Sequence, residues 1–110
     1  MKQLLTAATL TLAASTAFAD CAPPMDDMVA MFEAAEPKVV YACQTKYPMQ
    51  NLDQCLDSQF RDMQIVAAMC DDNPATDAVL NSGMMHNRRG ELVGVDFRTM
   101  RLEMLRQGVY

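Results

Sequence analysis

The sequence predicts an all-α fold: a small disulfide-stapled antiparallel helical hairpin followed by a C-terminal amphipathic helix. Three observations carry this expectation. Two stretches repeat apolar residues at spacings of three and four, and a five-residue turn joins them. The four cysteines are placed so that the two arms can be locked together.

The chain begins with a secretory pattern. Met1-Lys2 supplies a positive start, residues 4–14 an apolar run, and Ala17-Phe18-Ala19 a small-x-small cleavage site. The run is too short for a membrane span. Residues 1–19 are therefore expected to be a cleaved signal peptide, with 20–110 a single small helical domain bound for the periplasm or the exterior. Lipidation of Cys21 is disfavoured, because Asp20 and Phe18 occupy positions where a lipid-anchored chain carries a small residue and Leu.

The first arm follows. Met25, Met28, Val29, Phe32, Ala35, Val39, Ala42, Cys43 and Tyr47 make one apolar stripe. Pro24 suits a first helical turn, where a missing N–H costs nothing. Pro37 interrupts the arm while the stripe keeps phase, so one kinked helix or two short helices in line are expected.

Tyr47-Pro48-Met49-Gln50-Asn51 forms the turn. The second arm carries Leu52, Cys55, Leu56, Gln59, Phe60, Met63, Val66, Ala67 and Cys70 on its stripe. Asn51 or Asp53 caps its start, and Asp71-Asp72-Asn73-Pro74 ends it. So short a connection folds the arms back antiparallel, giving a hairpin over residues 24–70.

Residues 71–95 read as a loop-rich connector. A short helix runs from Pro74 to Leu80 and closes at Gly83; residues 84–94 read as loop, with Asn87-Arg88-Arg89-Gly90 as a turn and a brief extension from Leu92. The last helix, residues 96–107, starts at Asp96 as cap and stops at Gly108. Its apolar face is Phe97, Met100, Met104 and Leu105. These four residues are the candidate partner contacts, should the helix dock on another protein instead of packing on the hairpin.

Helix geometry selects the disulfides. Cys55 and Cys70 on one helix are separated by about 22 Å of rise. A disulfide needs Cα atoms within about 7 Å. Cys43 and Cys70 lie at different heights on opposite arms. The nested set remains: Cys43–Cys55 near the turn and Cys21–Cys70 at the open end. The Cys21-Ala22-Pro23-Pro24 segment must fold back to close the outer bond. Staples suit a thin core, and no Cys-x-x-Cys redox motif or zinc-type ligand pairing is present.

Charge excludes a nucleic-acid partner. Residues 20–85 hold eleven acids against Lys38, Lys46 and Arg61, while residues 86–110 hold five arginines against Glu91, Asp96 and Glu103. Nothing in that distribution neutralises a run of phosphates. No second apolar run crosses a bilayer.

Methionine is the compositional oddity, at 11 residues. Thioethers prefer Cu(I), so Met25, Met28 and Met69 at the hairpin's open end, and Met84, Met85 and His86, form the alternative copper site. The bland reading is adaptable core filler or a greasy partner surface. Asp20, Asp26, Asp27, Asp71, Asp72 and Asp77 gather at one end but lack a calcium-loop pattern, and several suit helix termini. His86 is the single histidine, and no nucleophile elbow, phosphate loop or His-Glu-x-x-His occurs. No cofactor motif is present. The expectation is a non-catalytic exported module that binds another exported or envelope protein, with periplasmic Cu(I) binding as the alternative.

Overall fold

The computed structural model describes residues 22–69 and 74–108. Helix α1 spans Met25–Lys46. Asp26 and Asp27 in its first turn and Lys46 in its last complement the helix dipole. Pro37 sits inside this single helix. The helix survives because Met28 and Val39, on either side of the proline, are buried on one face. Packing on that shared face offsets the lost hydrogen bond.

Helix α2 spans Leu52–Ala67. Asn51 is its cap, with Oδ1 accepting from the backbone N–H groups of Asp53 at 2.8 Å and Gln54 at 3.4 Å. Cys43 and Cys55 form a disulfide with Cα atoms 6.1 Å apart. At the other end of the hairpin, Gln64 Nε2 lies 3.9 Å from Met25 Sδ. These two contacts fix α1 and α2 antiparallel. The expected outer pair, Cys21–Cys70, lies outside the described residues.

Helix α3 covers Pro74–Ser82. The next segment corrects the all-α expectation. Residues 84–94 are a β-hairpin, not a loop: β1 (Met84–His86) pairs antiparallel with β2 (Leu92–Val95). The register sets Met84 opposite Val95, Met85 opposite Gly94 and His86 opposite Leu92, with a bulge after Met85. The tip is closed by Asn87, whose Oδ1 accepts from the N–H groups of Arg89 and Glu91, both at 2.9 Å. Gly90 there takes a φ of 81°, the left-handed region open to glycine. A three-residue strand is too short to display alternation, and Met-Met-His carries no β-branched side chain.

Helix α4 spans Phe97–Arg106. Gln59 and Asp62 of α2 bond Phe97 and Arg101 of α4 respectively. Numbering rises together along the two helices, so α4 runs parallel to α2. Helix α3 packs on α4, and β2 packs on α1. The core cluster is Val39, Cys43, Cys55, Val95 and Met100, drawn from the hairpin, the sheet and the last helix. The molecule is thus mostly helical, with a small two-stranded sheet, and the disulfide lies in its core.

Candidate functional site

Among the described residues, the packing leaves one side of the helical hairpin open. Helix α4 covers one flank of α2, and the sheet covers the C-terminal part of α1. On the remaining flank a groove of about 410 Å³ runs between the two long helices. Val29, Phe32 and Glu33 line it from α1; Leu56, Asp57, Phe60, Arg61 and Gln64 line it from α2. Each set recurs at three- and four-residue steps, so each helix contributes one ridge along the groove.

Its base is aromatic. The Phe32 and Phe60 rings meet edge to face with centroids 5.2 Å apart and planes at 84°. Val29 beside them is 40% exposed, a large apolar side chain left in water. A second depression of about 500 Å³, lined by Glu33, Glu36, Pro37 and Val40, shares Glu33 with the first. Glu33, Asp53, Asp57 and Arg61 are exposed and Glu36 is half-exposed. Among the described residues none of these five charges is engaged in an ion pair.

The polar chemistry of the molecule is concentrated elsewhere, at Asp96, which has no exposed surface. Its Oδ1 accepts from Gln59 Nε2 at 2.8 Å and from the N–H groups of Arg98 and Thr99 at 3.2 and 3.4 Å. Its Oδ2 accepts from Thr99 Oγ1 at 2.6 Å and Tyr47 Oη at 2.9 Å, with Lys46 Nζ at 3.3 Å. Burial pushes this carboxyl up, but hydrogen bonds from Thr99, Gln59 and Tyr47 and the Lys46 charge outweigh it and hold it below the ordinary value. Burial raises the Tyr47 phenol in turn. Arg98 lies over the Tyr47 ring, 5.6 Å from its centroid. Asp96 and Gln59 at its centre are buried and bonded, while Lys46, Tyr47 and Arg98 reach the surface. The cluster ties α1, α2 and α4 together.

The residues singled out from sequence fall in several places. Met100 and Met104 are 2% and 1% exposed, so they are core side chains, and of the two expectations for the last helix it takes the packed one, which removes these two methionines from the candidate partner contacts. The reason is simple: α4 packs its apolar face against the hairpin. Phe97 is half-buried at that interface, and Leu105 is exposed.

Met84, Met85 and His86 do not converge. Met84 packs against the core cluster, Met85 lies over Gly94, and His86 is exposed. Consecutive strand residues point to opposite faces, which separates the two sulfurs. Met25 and Met69 do come to the same end of the hairpin, where Met25 is exposed and faces Gln64, Met69 is half-buried and Met28 is buried. Asp26 and Asp27 lie in the first turn of α1, where they complement the helix dipole, whereas Asp20, Asp71 and Asp72 of the expected acidic patch lie outside the described residues. Among the described residues no group of three or more His, Cys, Asp or Glu side chains is arranged to hold a metal ion. None of their helices is long and apolar enough to cross a membrane.

The groove itself was not legible as a site. Phe32, Leu56 and Phe60 belong to the apolar stripes and read as core. The available signal was the width of the first stripe: Val29 beside Met28, and Phe32 beside Ala35, span more arc than one packed neighbour covers. Comparison of this chain with protein families, with curated proteins and with solved structures finds no match.

Proposed function

We propose that this protein is a non-catalytic exported binding module that recognises another exported or envelope protein through the groove between α1 and α2. The observation that carries the reading is the exposed apolar groove, with its Phe32–Phe60 base, on a hairpin clamped by the Cys43–Cys55 disulfide. A rigid concave apolar surface gives a partner buried area with little ordering cost. Export is supported by the signal-type start and by the disulfide, which persists in oxidising compartments.

The test is site-specific photocrosslinking in the exporting cell. A photoreactive residue at Val29, inside the groove, is expected to give a discrete crosslinked protein band. The same residue at Arg88, on the exposed hairpin tip, is expected to give none. Equal labelling from both positions, or no adduct at Val29, removes the reading.

A further inference from the structure

Resting on that reading, we infer that the occupant of the groove is a basic amphipathic α-helix of the partner protein, two turns or more in length. Two observations point there: what the walls of the groove are made of, and the sign of the charges along its rims.

The walls are helices, and their backbone groups are bonded within α1 and α2 apart from the Glu33 carbonyl, which faces Pro37. An extended segment laid between them finds no ladder of free N–H and C=O groups to pair with. A helix satisfies its own backbone and needs only an apolar stripe. The groove runs between antiparallel helices, so a third helix settles along it as in a bundle, at a shallow crossing angle. From Leu56 to Gln64 the α2 wall rises about 12 Å, which is two turns of such a ligand.

The rims then choose its charge. Glu33 and Glu36 flank the α1 side and Asp57 the α2 side, with Arg61 the single positive side chain among them. None of the four is neutralised by an ion pair among the described residues. A second copy of this chain seated face to face brings three carboxylates and one arginine against the same set, a net like-charge contact that opposes a symmetric dimer. A helix with Lys and Arg on either side of a Leu or Phe stripe matches both the floor and the rims. An acidic or phosphate-bearing ligand is repelled.

The experiment uses the oxidised, exported protein and two labelled peptides, both designed helices with the same Leu/Phe stripe. One carries Lys and Arg beside the stripe, the other Glu. Binding is followed by fluorescence anisotropy at low and high salt. The basic peptide is expected to bind about tenfold or more tightly at low salt, with the advantage shrinking as salt screens the rims. The double reversal Glu33→Lys/Asp57→Lys, at exposed positions that leave the fold intact, is expected to invert the preference.

Equal affinity for the two peptides, or a reversed variant that behaves like the parent, overturns the inference. If that equal binding is still lost in Phe60→Ala, the groove keeps its role as a docking site and only the charge assignment falls. If neither peptide binds and Val29 gives no crosslink, both readings fall together. A groove-dependent dimer, seen by sedimentation and abolished by Phe60→Ala, also overturns it.

Discussion

Gln59 and Asp96 are joined side chain to side chain across 37 residues of sequence, with Nε2 of the glutamine 2.8 Å from Oδ1 of the carboxylate. The other end of the same amide accepts the N–H of Phe97 at 2.7 Å. One buried amide therefore secures both the cap of α4 and one of the N–H groups at that helix's start. Gln59→Leu keeps the volume but leaves a carboxylate oxygen and a backbone donor short of partners. The expected loss is about 2–4 kcal/mol, read as a lower midpoint in urea unfolding with unchanged slope.

Asp96 sets the acid limb of stability. Its native value is depressed, so its contribution is complete above the unfolded carboxylate value of about 3.9 and is lost as pH falls through the lower native value. Unfolding free energy is expected to drop with acidification below about pH 4. Asp96→Asn removes that slope and costs about 1–3 kcal/mol at neutral pH, since the charge-assisted hydrogen bonds to the buried carboxylate become neutral ones. Glu103 is depressed by Arg106 with the same sign, but it is an exposed pair. Repeating the titration in high salt suppresses the Glu103 part and spares that of Asp96. An acid limb that persists unchanged in Asp96→Asn at high salt contradicts this account.

Pro37 is a stabilisation target. It is exposed within α1, lacks an N–H, and leaves the Glu33 carbonyl without its helical donor. Pro37→Ala restores the bond, and about 1–3 kcal/mol of added stability is expected. Thermal denaturation followed at 222 nm measures it; a lower midpoint would mean the proline shapes α1 in a way the packing requires.

Removing the disulfide should cost more than removing either sulfur's packing alone. Cys43→Ala/Cys55→Ala opens a loop whose ends are 12 residues apart, and about 2–4 kcal/mol of loss is expected. Because both cysteines are buried beside Val39 and Met100, reduction in a Cys21→Ala/Cys70→Ala background isolates this bond from the packing and from the expected outer bond. Differential scanning calorimetry on oxidised, reduced and doubly substituted protein separates the two effects.

The hairpin was readable because its signals are local. Stripe phase, a five-residue turn and cysteine heights specify α1, α2 and the inner disulfide without reference to the rest of the chain. Asp96 was readable as a cap for the same reason. Its role as anchor for Lys46, Tyr47 and Gln59 was not, since nothing along the chain marks which distant polar groups will meet. Gln59 sat on an apolar stripe as an apparent lapse; the structure shows it 1% exposed because a carboxylate waits opposite. The β-hairpin escaped because its strands are shorter than the pattern that identifies strands. The groove escaped because an apolar stripe states what is water-averse and says nothing of which part the fold leaves uncovered.

The bond from Tyr47 to Asp96 spans 49 positions. A chain delivered N-terminus first can wind its two long helices and close the inner disulfide while the rest is still arriving. The acceptor that gathers those helices comes far behind them. Until it does, the amide of Gln59 and the phenol of Tyr47 have only water to bond, and Met100 and Met104 have not yet come to close the interior. The clasp is thus local in sequence and the seal is not: a chain truncated before residue 96 keeps both cysteines of the clasp and lacks the carboxylate of the seal.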